Sequence, residues 1–247
     1  VIPKIQIKGL KKRFKDNEVL RGVDLDIEEG EICVILGASG SGKSVLIKHI
    51  IGLLRPDEGE VVIKGRDIAH LDEKELNDVR KSFGMVFQNS ALFDSMTVYE
   101  NVAFPLIEHT RLNEKEIRER VSEKLNVLGL YNVENKYPAE LSGGMKKRVG
   151  LARAVILNPE IILYDEPTTG LDPITTMTVN EMILDARERF NVTSVVISHD
   201  IGSAFMIADK IAFLYNGVII VQGPPQFVRE AKDENLRKFL DIWFRKV

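Results

Sequence analysis

The chain has 247 residues, of which 44% are hydrophobic and 29% charged, with a formal net charge of -3. A chain of this length buries roughly 70–75% of its unfolded surface, enough for a substantial core, and the charge balance gives no reason to expect a nucleic-acid partner. No apolar run reaches the ~18–20 residues that cross a bilayer and no signal-peptide core opens the chain, so the expected location is the cytoplasm, with any membrane approached from its surface.

The first third reads as short β-strands. Residues 5–7, 23–27 and 61–63 are bounded by Gly, Asn, Asp or Pro, and 23–27 alternates strictly between apolar and acidic positions. The run 32–36 is apolar on both faces, as a central parallel strand should be, and it makes Cys33 a buried structural thiol rather than a metal or redox ligand. After a Gly-rich stretch, 45–54 reads as a helix. From 71 to 157 the periodicity is helical and the charge dense, which predicts an inserted helical subdomain. The stretch 114–128 shows it best: Ile117, Val121, Leu125 and Leu128 share a stripe. There the Glu114–Arg118 and Glu116–Arg120 pairs add only ~0.2–0.5 kcal/mol each. Residues 161–164 and 193–197 are two further buried strands. Asn216-Gly217, between 211–215 and 218–221, predicts a hairpin.

Two anion-binding loops stand out. Gly37-Ala38-Ser39-Gly40-Ser41-Gly42-Lys43-Ser44 matches G-x-x-x-x-G-K-[ST], with Val45 opening the helix behind it. Glycines in that pattern let backbone N–H groups face phosphate oxygens, the lysine adds a point charge, and the serine hydroxyl ligates magnesium. Ser142-Gly143-Gly144 opens a second helix, whose free N–H groups and dipole attract an anion. At the end of the strand at 161–164, Asp165 is placed to orient a magnesium shell through water and Glu166 to polarise an attacking water. His199 follows another strand and can meet a γ-phosphate, and Gln88 has an amide suited to magnesium or the lytic water. Read singly, His199 is an ordinary strand-end histidine and Gln88 a surface glutamine; the constellation gives them these roles.

In this order the motifs resemble the ATP-binding cassette (ABC) ATPase family, over about residues 5–223. Leu141-Ser142-Gly143-Gly144 is similar to the family signature. The resemblance implies ATP and Mg2+ as ligands, Gln88 in the Q-loop, Asp172 as the D-loop aspartate and His199 as the switch histidine. It puts Phe14 where the family stacks a ring on adenine, with a core position as the alternative. It also implies an α/β fold: a P-loop, RecA-like parallel sheet core with an N-terminal antiparallel β region and an inserted helical subdomain. The expected divisions of this single ABC ATPase domain are a catalytic core at about 1–88 and 158–223, a helical signature subdomain at about 89–157, and a C-terminal helical extension at about 224–247. The resemblance further implies that two such cassettes associate head to tail, each ATP lying between one P-loop and the partner's signature. Met145 stands where most of the family has Gln, which removes a polar side chain but leaves Ser142 and the glycine amides. With 92–98, 170–175 and 198–201, it gives the chain a finer resemblance to the subgroup that powers Mce/Mla-type lipid transport at the Gram-negative inner membrane.

That resemblance implies a homodimer on the cytoplasmic face of the membrane, beneath an integral-membrane permease and with a lipid-binding Mce-type partner. Leu92, Phe93, Met96 and Tyr99 are the candidate permease wall, core packing being the alternative. Importers or exporters of another substrate such as an amino acid, and soluble ABC ATPases, are the rival readings. Leu236, Phe239, Leu240, Trp243 and Val247 form an amphipathic C-terminal stripe that covers either a neighbouring subunit or its own domain.

Overall fold

The computed structural model describes residues 2–244, with side chains through residue 241. β1 (Ile5–Phe14) and β2 (Asn17–Ile27) pair antiparallel, Ile5 opposite Ile27. Both strands run further than the apolar alternation predicts, because register shifts between Ile7 and Arg13 let a polar stretch keep pairing after the alternation is lost. On β2, Val23, Leu25 and Ile27 are buried while Asp24 and Asp26 are exposed, as in a strand wetted on one face. β3 (Ile32–Leu36) is buried at all five positions and leads through the Gly-rich loop into α1 (Lys43–Ile50). α1 stops before the predicted 54 because the Leu53 and Leu54 N–H groups fold back onto the Lys48 carbonyl. β4 (Glu58–Ile63) and β5 (Arg66–Asp67) complete a four-stranded sheet in the order β2-β1-β4-β5.

α2 (Glu73–Arg80) is followed by β6 (Phe83–Phe87), which corrects the purely helical reading of 71–157. Five residues are too few for period two to be told from period 3.6, and the backbone of β6 is claimed by β7. Then come α3 (Val98–His109), α4 (Glu114–Val127), a 3₁₀ turn at Pro138–Glu140 and α5 (Gly143–Val155). Thr97 and Asn113 cap α3 and α4 in capping boxes with Glu100 and Glu116. Glu116 is thereby turned to the Asn113 N–H, so the predicted pair with Arg120 does not form, whereas Glu114 and Arg118 meet at 3.3 Å. Val102, Leu106, Val121, Leu125 and Val149 close a separate helical core, each such side chain contributing about 1.5–3 kcal/mol by burial.

β7 (Ile161–Asp165), α6 (Pro173–Phe190), β8 (Thr193–Ser198), α7 (Ile201–Ile207), β9 (Lys210–Tyr215), β10 (Val218–Gly223), α8 (Pro225–Glu230) and α9 (Glu234–Phe244) finish the chain. The second sheet has the order β10-β9-β3-β8-β7-β6, parallel from β9 to β6. β10 returns antiparallel through Asn216 (φ 46) and Gly217 (φ 78), the two positive φ values that a tight hairpin requires. One face of this sheet shares a core with the first sheet and α1; the other packs against α5, α6, α7 and α9. Leu236 and Leu240 of α9 are buried there, and the Phe239 ring lies 5.1 Å from Phe213. This much of the C-terminal stripe covers its own domain; the Trp243 side chain and Val247 lie outside the described residues. Cys33 is buried, and burial pushes its thiol pKa up. Among the described residues no helix is long and apolar enough to cross a membrane.

Candidate nucleotide site

The site is assembled by register. Phe87, Asp165 and Ile197 lie side by side across β6, β7 and β8, and Leu36 of β3 pairs with Ser198. Four parallel strands therefore end almost in line, and the residues that follow them, Gln88, Glu166, His199 and Gly37, leave from the same edge of the sheet, where open α/β folds bind ligands. Gly37 is glycine for want of space: a Cβ there would lie 2.5 Å from the Leu214 carbonyl oxygen and 2.8 Å from Ser41 Oγ.

Lys43, 6% exposed, donates to the carbonyls of Gly37 (2.8 Å) and Ala38 (3.0 Å). Its Nζ is also 3.4 Å from Glu166 Oε1. The other Glu166 oxygen lies 2.8 Å from His199 Nδ1 and accepts a hydrogen bond of 2.9 Å from Thr169 Oγ1. Lys43, Glu166, His199 and the P-loop thus line one cavity of about 580 Å³, with Ser39, Gly40, Ser44 and Val45. Three residues of this wall carry no sequence signal for the role: Val19 on β2, Thr169 and Phe239 on α9. Glu166 itself has φ 49, a strained left-handed conformation for a non-glycine residue.

Asp165 is half-buried. Burial, then the neighbouring Glu166 charge, hold its carboxyl above the usual carboxylate range, and Lys43 and Lys48 offset part of this. A folded pKa above the unfolded value favours folding below about pH 3.9, and that contribution is lost as pH rises through the folded pKa. At neutral pH the ionised Asp165 is therefore a destabilising group. Asp165→Asn is expected to raise the thermal midpoint at pH 7, with the gain shrinking as the pH is lowered toward 4. Midpoints that match the parent at pH 7 in calorimetry would contradict this.

The fit to magnesium rests on donor chemistry: Ser44 lines the cavity, while Asp165 ends β7 and Gln88 follows β6 at the same sheet edge. Among the described residues no group of three His, Cys, Asp or Glu side chains could hold a metal by itself. A hydroxyl, an amide and one disfavoured carboxylate, from Ser44, Gln88 and Asp165, suit an ion that keeps waters and takes its remaining oxygens from substrate phosphates. The Ser41 hydroxyl, buried and unpartnered in the P-loop, is a further donor awaiting an acceptor.

Other expected residues stand apart from this cavity. Phe14 is 43% exposed at the end of β1, with Lys12 Nζ 5.7 Å from its ring centroid, which removes the core alternative. Ser142 caps α5 by accepting from the Met145 N–H at 3.3 Å, and Gly143 and Gly144 have open space where a Cβ would stand. The Met145 side chain packs on the helical core. Asp172 caps α6, accepting from the N–H groups of Ile174 and Thr175, and the Thr175 contacts lower its pKa. Of the candidate permease wall, Leu92 and Tyr99 pack on the helical core and the Met96 carbonyl accepts from Asn101. Phe93, 45% exposed, lines a groove with Met85, Phe87 and Phe104, around which stand Arg80, Lys81 and Arg153.

The family described as ABC transporter matches residues 20–169. A relative from Mycobacterium leprae, the probable ribonucleotide transport ATP-binding protein mkl, is 44% identical over 96% of this chain and 68% of its own length. The chain belongs to the ABC transporter ATPase family. It spans only about two thirds of the length of the mycobacterial relatives it matches. The intermembrane phospholipid transport system ATP-binding protein MlaF of Haemophilus influenzae is 40% identical over 96% of this chain and 89% of its own. Among solved structures, the dimeric post-hydrolysis ABC cassette MJ0796 bound to ADP and Pi superposes with a TM-score of 0.79. It is 36% identical, covering 90% of this chain and 98% of that one. The cassette fold and an ATPase activity are thereby those of this chain as well.

Proposed function

We propose that this ABC ATPase works as a homodimer that clasps two ATP molecules and drives a membrane permease whose cargo is phospholipid or a related lipid. One observation carries the dimer: Lys43, Glu166 and His199 meet in a cavity that Ser142 and Gly143 of the same chain do not line. A triphosphate touched by both loops then needs a second copy, and Ile174 (81% exposed) and Met177 (49%), beside the Asp172 cap, offer apolar surface for it. In this reading Lys43 and the P-loop amides hold the β- and γ-phosphates, and Phe14 stacks on adenine. Ser142, Gly143, Gly144 and Asp172 reach over from the partner. Ser44, Gln88 and Asp165 hold Mg2+, which when bound neutralises phosphate charge. Glu166 takes the proton of the attacking water, and His199 holds that carboxylate in place and meets the γ-phosphate. Hydrolysis removes charge that both copies share, so the dimer reopens.

The lipid cargo is supported by the Haemophilus relative, which matches almost end to end. An Mce-type lipid-binding partner and a place on the cytoplasmic face of the inner membrane belong to the same reading. The mycobacterial relative, named for ribonucleotide transport, favours a second cargo. With its permease in proteoliposomes, ATP should move fluorescent phospholipid between membranes, and a Glu166→Gln preparation should not. ATP-driven ribonucleotide uptake without lipid movement would decide for the second cargo.

The permease is proposed to seat a short helix in the groove at Phe93. Phe93→Asp is expected to lower co-purification of the permease at least tenfold while ATP binding by the isolated subunit stays within twofold. Unchanged co-purification would remove Phe93 from the contact.

A further inference from the structure

Building on the two-copy reading, we infer that Lys147 is a positioning residue that ties the signature helix to the catalytic loops of its own chain. Lys147 follows Ser142 by about one and a half turns of α5 and is 7% exposed. Its Nζ donates to the backbone carbonyls of Gln88 and, at 3.0 Å, of Pro167. Burial lowers its pKa, and no carboxylate offsets that shift. A buried cation held by two carbonyls is an expensive arrangement unless those carbonyls must be fixed.

Both carbonyls belong to the site. Gln88 is the candidate magnesium or water ligand, and Pro167 follows Glu166, whose left-handed φ of 49 persists only if its surroundings hold it. The rest of the α5 face repeats the grip. Arg153 donates to the carbonyls of Ser90 and Ala91 at 2.8 Å each, and a Cβ on Gly150 would come 3.2 Å from Ser90 Cβ. Ser90 and Ala91 also have positive φ, 61 and 43, so the loop after β6 is bent where α5 holds it. When the N-terminus of α5 engages the partner's triphosphate, any shift of the helix arrives through Lys147 at Gln88 and at the backbone beside Glu166. ATP in one site thereby sets the catalytic geometry of the other.

The test uses the purified full chain with Lys147→Met, which keeps the length without the ammonium, and Lys147→Arg, which keeps charge and donors. In Lys147→Met, kcat should fall at least tenfold, half-saturating ATP should change less than threefold, and the Hill coefficient should drop toward one. Hydrogen exchange at the amides of Gln88, Glu166, Thr168 and Thr169 should accelerate while β7 stays protected. Lys147→Arg should recover kcat to within about threefold of the parent. Lys147→Gln replaces the Met variant if that one does not fold. A kcat within twofold of the parent, a loss carried by ATP affinity, or a loss with those amides still protected would overturn the proposal. Dimerisation of Glu166→Gln in Mg-ATP tests the two-copy reading separately: a monomer there ends that reading, while the exchange result judges the tether itself.

Discussion

Glu166→Gln is expected to stop phosphate release and turn Mg-ATP into a lasting bridge between two copies. The substitution keeps the shape that receives His199 at 2.8 Å and the Thr169 hydroxyl at 2.9 Å, but it removes the basic oxygen. General-base catalysis is worth about 10²–10⁴ in rate, and turnover should fall by that factor. Binding should survive or tighten, because a negative charge next to the triphosphate is gone. Turnover measured beside size-exclusion in Mg-ATP checks both halves. A rate within tenfold of the parent would take the base assignment from Glu166, and a monomer in saturating nucleotide would take away the dimer.

The second large effect is expected at Lys43. Lys43→Met deletes the cation that faces the phosphates and also leaves the Gly37 and Ala38 carbonyls without their buried donor. Hydrogen bonds to charged groups are worth about 1.5–3 kcal/mol, so ATP affinity should drop on the order of 100-fold. Titration calorimetry reads this directly. The variant should also melt earlier, since Glu166 loses the ammonium 3.4 Å away and is left beside Asp165. Adding Glu166→Gln should then restore part of the lost midpoint, a coupling that a double-mutant cycle isolates. Additive midpoints would mean that the pair is not felt in the ligand-free protein.

How much of this was legible in the chain follows from the range of each signal. The runs that become β3, β7 and β8 are apolar on both faces, and the G-x-x-x-x-G-K-S spacing sits directly after one of them, so strand, loop and helix are written within some twenty consecutive residues. The Asn216-Gly217 turn is equally local. β6 is not legible locally because its identity depends on a neighbour: Gly84 lies where a Cβ would meet the Ala154 carbonyl oxygen at 2.4 Å, a constraint set by a helix some seventy positions later. In the site, Glu166, Asp165 and Lys43 announce themselves by their place after buried strands. Thr169 and Lys147 do not, since one is an ordinary loop threonine and the other one of two lysines in a basic helix, until the fold puts carbonyls and a carboxylate against them. The Phe93 groove is half legible: the aromatic stretch is visible in the sequence, but the division between residues spent inside and residues left outside is decided by how α3 packs onto α4 and α5.

The alignment of four strand ends makes nucleotide binding a test of folding as well as a step in work. A slip of one residue between β7 and β8 would carry Glu166 about 3.3 Å along the strand and turn Asp165 to the opposite face of the sheet. The strands concerned, β3, β6, β7 and β8, are drawn from positions 32 to 198, so a newly made chain has no phosphate cradle opposite its base until these distant pairings are all in step. Because a ligand stabilises only the form that binds it, by about 2.7 kcal/mol at one hundred times its dissociation constant, cellular ATP would favour correctly threaded molecules over misaligned ones. Fuel and proofreader are then the same small molecule.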